Sequence, residues 1–400
     1  MSTGTAPGDP FAPARLGPVA LRNRIVKAAT FEGMTPRHLV TDSLVEFHRA
    51  VAAGGVGMTT VAYCAVSPEG RSTPGQIVMR EEAVEGLRRL TDAVHAEGAA
   101  AAAQLGHAGP VAAGIGERAL SPSRMFSPAA MKFTHPARDD DLTGVIRDFA
   151  SAAGIAARSG FDAVELHLGH HYLLSAFNSP RWNRRRDRWG GSLENRARLS
   201  REVARVVREA AGGRLAVTAK LNMTDAVRGG LGVEESLEIA SMLQADGTVD
   251  ALELTGGGSF ANPMYLFRGE APIRELAAAM PQPLRTGMRL LGKRFLPSCP
   301  FDEAYFLPMA RRFRERLDLP LILLGGINRL DTIRSALGEG FEFVAMARAL
   351  LREPDLVRRF QAGASTESRC DHRNQCMPTI YRGTHCVLVP EAERPGLARA

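Results

Sequence analysis

The sequence predicts an α/β protein of the (β/α)8 TIM barrel class with long rim loops, and three observations carry that expectation. Eight strand-sized apolar runs recur along the 400 residues. The segments between them place Ala, Leu, Arg and Glu at helical spacing. A doubly wound dinucleotide-binding sheet would put a G-x-G-x-x-G turn after its first strand, and Lys27-Ala28-Ala29-Thr30-Phe31-Glu32 stands there instead. Alternating strand and helix implies a parallel sheet, and eight such units close most naturally as a barrel.

In chain order the runs are Arg24–Ala29, Val56–Ala62, Ala99–Leu105, Phe161–Leu168, Leu215–Leu221, Val249–Leu254, Pro320–Leu324 and Phe341–Met346. Most are rich in Val, Ile or Leu, as strands buried on both faces require. Ala99–Leu105 is the weak member, because its alanine run favours helix. The clearest helices are Glu194–Ala210 and Glu234–Leu243. Two connections are long. Gly106 to Asp141 is rich in Pro and Ser, and Thr255 to Phe301 is broken by Pro263, Pro272, Pro281, Pro283, Pro297 and Pro300. At a catalytic rim such segments act as lids or small subdomains. The N-terminal dozen residues and the tail after Pro390 read as poorly ordered. The expectation is one domain over 1–400, a barrel from about 11 to 360 with a cysteine-containing C-terminal extension, 361–400.

Composition narrows the class. Apolar residues make up 45% and charged residues 23%, which excludes a collagen-like, coiled-coil or disordered chain. The net charge of +7 comes almost wholly from arginine, since the chain has four lysines (Lys27, Lys132, Lys220, Lys293). Those arginines are interleaved with acids, as in Arg196 to Arg208, and do not form the basic stripe of a nucleic-acid protein. Five cysteines are too few, and odd in number, for a disulfide framework, so a reducing compartment is expected. Met1 to Pro18 has no apolar leader core and no run of 18 apolar residues occurs. A cytoplasmic protein is expected, acting on a small molecule with no nucleic-acid or membrane partner; homo-oligomerisation stays open.

A barrel collects its chemistry just after each strand. The seventh run ends in Gly325-Gly326, and the eighth in Ala347-Arg348. Loops after these two strands are the usual phosphate cradle, with glycines for close backbone approach and an arginine to fork onto the anion. A tight turn plus a surface arginine is the alternative. The fourth run reads Val164-Glu165-Leu166-His167-Leu168, then Gly169-His170-His171-Tyr172. Alternation puts Glu165 and His167 on one face. Two chemistries compete here: a metal site on His167 and His170, or imidazoles that donate to a substrate oxygen beside a tyrosine proton donor. The fifth run places Thr218, Lys220 and Asn222 on one face. A lysine inside a barrel needs an anion, either a ligand or Glu253 or Glu165. Gln104 ends the third run with a bidentate amide. A phosphate cradle, an amide, a cation and a His/His/Tyr cluster together suit a phosphate-bearing planar cofactor such as FMN.

Three stretches carry a resemblance. They are Leu21-Arg22-Asn23-Arg24, Gln104-Leu105-Gly106-His107-Ala108-Gly109, and Glu165 through Pro180 with its continuation Asn183 to Arg196. Together they resemble the old yellow enzyme (NADH:flavin oxidoreductase) family over about Phe11 to Pro390. The resemblance implies an FMN-containing barrel reduced by NADH or NADPH. It implies that Ala28, Ala29, Thr30 and Phe31 line the flavin, with Tyr63 beside it and Gln104 at the ring edge. Lys220 would stand near N1 and O2, where relatives more often carry arginine. Gly325, Gly326, Ala347 and Arg348 would hold the phosphate. His167, also beside the flavin, and His170 would bind the substrate's activating oxygen, and Tyr172 would protonate the α-carbon of an activated alkene. His171 replaces a usual glycine, Trp189 a usual tyrosine, and Phe31 a usual Thr or Cys.

The tail Cys370-Asp371-His372-Arg373-Asn374-Gln375-Cys376, followed by Cys386, resembles the iron–sulfur segment of larger relatives, with Arg373 where a second thiolate belongs. No iron–sulfur cluster and no other metal is expected. The competing functions are another FMN-barrel reaction (dehydrogenation or demethylation), a metal-dependent barrel hydrolase using the histidines, and a flavin-binding protein without catalysis.

Overall fold

The computed structural model describes residues 8–112, 119–127, 132–280 and 282–397. Its centre is a closed barrel of eight parallel strands. These are β1 (Ile25–Phe31), β2 (Met58–Ala65), β3 (Ala100–Gly106), β4 (Ala163–Leu168), β5 (Ala216–Asn222), β6 (Ala251–Thr255), β7 (Leu321–Leu323) and β8 (Phe343–Met346). β8 closes on β1 with Val344 opposite Ile25. The outer helices are α1 (Asp42–Ala53), α2 (Val84–Ala96), α3 (Asp139–Arg158), α4 (Leu193–Ala211), α5 (Val233–Ala245), α6 (Leu307–Arg316), α7 (Leu330–Gly338) and α8 (Leu356–Gln361). All eight expected strands form.

Strand alternation splits the core in two. Outward residues such as Val164, Leu166 and Leu168 pack on the helices. Each such leucine, fully buried, contributes about 1.5–3 kcal/mol. Inward residues at the N-terminal end are small: Ala100, Ala102, Ala163, Ala216 and Ala251, filled in by Val26 and Phe343. This accounts for Ala100 and Ala102 of β3, while Ala101 and Ala103 face the outer helices. Packing on both faces overrides the helical propensity of alanine. A two-stranded hairpin, Ala14–Leu16 with Val19–Leu21, plugs that floor through Leu16 and Leu21.

α4 shows the local logic of the helices. The Ser192 side chain caps its start by accepting from the Asn195 backbone N–H, and Gly212 ends it in the left-handed region at φ 57°. The two long connections carry structure of their own. The first pairs Leu120–Ser121 with His135–Pro136 and Phe126–Ser127 with Lys132–Phe133. The second holds three helices, Pro263–Phe267, Ile273–Ala278 and Leu284–Phe295. Pro263 sits at a helix start, where a missing N–H costs nothing.

The tail corrects one expectation. Past Pro390 the chain is ordered as far as residue 397: Glu391–Glu393 forms a helical turn and Leu397 packs against the core and over Gly383. An apolar anchor, late in a polar segment, supplies the hold that composition did not show. The extension as a whole folds back on the mouth, where the Thr384 N–H donates to the Glu32 carbonyl at 2.7 Å. Among the described residues no helix is long and apolar enough to cross a membrane.

Candidate active site

The mouth is built on inward positions of β3 to β6. Register places Gln104 beside Glu165, His167 beside Lys220, and Lys220 beside Glu253. The Lys220 ammonium lies 2.9 Å from Glu165 Oε1 and 2.8 Å from Glu253 Oε1, and all three side chains are buried. Gln104 Nε2 donates to Glu165 Oε1 at 2.6 Å. The protein thus supplies both carboxylates that a buried lysine could demand. Burial would depress Lys220, but the two carboxylates outweigh it and hold the ammonium above its ordinary value. Glu253 is pushed up to about 7 by burial and by the neighbouring Glu165.

Beyond β4 the chain turns through His170 and His171, both left-handed, at φ 60° and 63°. A non-glycine residue in that region costs about 1–2 kcal/mol. The turn sends the two side chains apart. The His170 backbone N–H donates to Asn222 Oδ1 at 3.1 Å, and its Nε2 lies 2.9 Å from Thr255 Oγ1. His171 is buried elsewhere, 3.7 Å from Asp225 and packed on Trp182 and Phe260. The left-handed φ is why glycine suits this position.

His167 meets His170 at 5.1 Å and Tyr172 at 4.4 Å between ring centroids. Tyr63 closes the cluster edge-on to Tyr172 at 5.2 Å, its phenol donating to the Gly70 carbonyl. Burial, reinforced by Lys220, brings His170 down to about 3, and His167 also falls well below its ordinary value. Both imidazoles are therefore neutral at pH 7, able to donate a hydrogen bond without carrying charge. Burial raises the Tyr172 phenol, with the Ser72 and Ser259 hydroxyls beside it, so it keeps its proton. His171 turns away from the His167–His170 pair. Among the described residues no group of three or more His, Cys, Asp or Glu is set to hold a metal ion.

The other side of the mouth comes from β7, β8 and the second long connection. Gly325 and Gly326 are left-handed at φ 107° and 73°, with the Tyr305 and Phe306 rings packed on them; a Cβ on Gly326 would sit 2.6 Å from Tyr305. Ala347 is half-buried and leads into Arg348. Arg348 Nη1 donates to the Arg268 carbonyl at 3.1 Å and to Asn374 Oδ1. Among the described residues neither Arg348 nor Arg268 has a carboxylate partner. Arg268 lies 5.1 Å over both Tyr265 and Tyr305, and its Nε is buried without a partner. At the end of β1, Ala28 is buried while Ala29, Thr30 and Phe31 are partly exposed.

These features fit FMN. Two guanidiniums without counter-ions beside paired left-handed glycines suit a phosphate monoester. The orphaned His167 Nδ1 is a buried polar atom awaiting a partner in the mouth. Sequence reasoning missed Thr255, Arg268 and Asn374. Thr255 was legible by alternation from Glu253; the other two carried no local signal. Sequence reasoning also missed a buried set between β1, β2 and α1, where Lys27 Nζ donates to Glu32 Oε1 at 2.8 Å and His48 Nδ1 meets Thr59 Oγ1 at 2.8 Å. Cys370, Cys376 and Cys386 are free thiols that line one cavity with Arg348, and Arg373 pairs with Asp371.

Comparison with known proteins agrees with this site. Residues 9–254 match the model of the NADH:flavin oxidoreductase / NADH oxidase family. The chain is 56% identical to the 4,4'-dithiodibutanoate disulfide reductase of Rhodococcus erythropolis, over 99% of this chain and 100% of that protein. It is 32% identical to a multifunctional alkene reductase/demethylase OYE of Caballeronia cordobensis, over 98% of this chain but 54% of that one, so it spans about half that relative's length. Among solved structures, 2-naphthoyl-CoA reductase superposes with a TM-score of 0.74 at 25% identity, covering 88% of this chain and 52% of that one. Morphinone reductase has the same fold, with a TM-score of 0.70 at 23% identity, covering 91% and 93%. A barrel of the expected topology, a His/His/Tyr cluster, a family match over residues 9–254 and a relative matched over nearly the whole chain converge: the chain is an oxidoreductase that belongs to the NADH:flavin oxidoreductase family, the family of the old yellow enzymes.

Proposed function

We propose that this protein uses FMN to pass a hydride from NADH or NADPH to a small electron-poor acceptor, an activated alkene such as an enone, enal or nitroalkene. The observation that carries the reading is the contact set of His167, His170 and Tyr172, two neutral imidazoles and a protonated phenol around one opening. Bound FMN supplies the two-electron relay between nicotinamide and acceptor. Gly325, Gly326, Ala347 and Arg348 would hold its phosphate; Ala28, Ala29, Thr30, Phe31, Gln104 and Lys220 would face its ring system. His167 and His170 donate to the acceptor's activating oxygen and stabilise the charge that builds there. Tyr172 gives its proton to the α-carbon. The tail, with Arg373 in place of a thiolate, works without an iron–sulfur cluster. The acceptor is a diffusible small molecule, and the protein acts in the cytoplasm.

A positioned proton donor contributes about 10²–10⁴-fold. Tyr172→Phe is expected to slow alkene reduction by that factor and leave NAD(P)H consumption in the reductive half-reaction unchanged. Equal slowing of both half-reactions rejects the assignment.

A second acceptor is favoured by one observation, the full-length relative that is a disulfide reductase. Two electrons and two protons convert an organic disulfide into two thiols. The leaving thiolate is stable near neutral pH and needs no acid in the transition state. With 4,4'-dithiodibutanoate as acceptor, Tyr172→Phe is therefore expected to change the rate by less than about threefold. Side-by-side turnover of an enone and this disulfide separates the two readings.

A further inference from the structure

We infer that Arg268 and Asn374 complete the phosphate site, forming a two-guanidinium clamp that the tail latches shut; this rests on the flavin reading above. The second long connection carries Arg268 to the β7–β8 side of the mouth, where its guanidinium lies over the Tyr305 ring and Arg348 approaches the phenol of the same residue. Tyr305 packs directly on Gly325 and Gly326, where a Cβ would collide with its ring, so both cations gather at a turn that only glycine can make.

Asn374 ties the pair together. The residue is 2% exposed. Its Oδ1 accepts from Arg348 Nη1, while its Nδ2 donates to the Arg268 carbonyl at 2.8 Å and to the Glu270 carbonyl at 2.9 Å. Arg348 also donates to that same Arg268 carbonyl. One amide therefore fixes the backbone that carries one guanidinium and the side chain of the other. Among the described residues neither guanidinium has a carboxylate partner, so an anion arriving at the turn would meet both cations without displacing a counter-ion. A phosphate monoester, with its doubly charged fork of oxygens, is the ligand class that two guanidiniums match. The segment between Cys370 and Cys376 thus acts as a latch on the cofactor's charged end, whatever its thiols do.

The test titrates flavin-stripped protein with FMN and with riboflavin, which has the same ring system but no phosphate, and reads quenching of flavin fluorescence. Wild type is expected to prefer FMN strongly, with inorganic phosphate competing. Arg268→Ala and Asn374→Ala are expected to lower FMN affinity about 10- to 100-fold while riboflavin affinity stays put. Arg268→Lys restores part of the loss. Asn374→Asp, which offers Arg348 a carboxylate in the phosphate's place, is expected to lower FMN affinity at least as far as Asn374→Ala. Unchanged riboflavin binding shows that each variant is folded with its ring site intact. Equal loss of FMN and riboflavin, or no loss of FMN, overturns the clamp. A wild-type protein that binds neither flavin overturns the parent reading instead.

Discussion

The two sides of the barrel mouth balance charge in opposite ways. On β4–β6 the Lys220 ammonium is neutralised within the protein by Glu165 and Glu253, all buried and in direct contact. On the β7–β8 side, Arg348 donates to the Arg268 carbonyl and to Asn374, Arg268 lies over Tyr305, and among the described residues neither guanidinium has a carboxylate partner. The first arrangement is complete without a ligand, and the second is completed by one. Breaking the Lys220 trio should therefore act mainly on stability, and substitutions at the two arginines mainly on anion binding.

The largest expected effect breaks the neutralised side. Lys220→Met leaves two buried carboxylates without their cation and should cost about 3–5 kcal/mol in urea unfolding. Arg348→Met removes two hydrogen bonds from a half-buried group and leaves no buried charge unpaired, so it should cost about 1 kcal/mol. Equal losses would dissolve the contrast.

A pH effect comes next. Glu253 is raised from an ordinary 4.5 to about 7 by burial and Glu165. Between those values the folded protein holds more protons than the unfolded chain. Stability then falls as pH rises through that window, by up to about 1.4 kcal/mol per pH unit, and levels off above it. Glu253→Gln should remove this component from the pH dependence of unfolding, and Arg348→Met should leave it intact. A wild-type profile identical to that of Glu253→Gln would show that Glu253 titrates normally.

The same contrast explains what was legible in the sequence. The β4–β6 side is written locally: Glu165, His167, His170 and Tyr172 lie within eight residues, and strand alternation aims Lys220 and Glu253 at them. The eight strands were legible for the same reason, since period and run length are local properties. The clamp was not, because Arg268, Arg348 and Asn374 lie in three separated segments, and only folding of the long connection and the tail unites them. The divergence of His170 and His171 was hidden too. Adjacent histidines read as one cluster until two left-handed φ values turn them apart.

The smallest expected effect tests how finely the histidine side is tuned. His170 is held twice, by its backbone N–H on Asn222 and by its ring on Thr255 Oγ1. Thr255→Val keeps the shape and removes only the hydroxyl. The backbone tether survives, so the turn stays in place and the ring gains freedom. A neutral hydrogen bond contributes about 1 kcal/mol, which corresponds to about fivefold in rate. Acceptor reduction should fall by that factor, with NAD(P)H oxidation in the reductive half-reaction and FMN affinity unchanged. Thr255 ends β6, the strand paired with β7, so it stands where the two sides of the mouth meet; a change in FMN affinity would mean that they are coupled, and the division of labour between them would have to be given up.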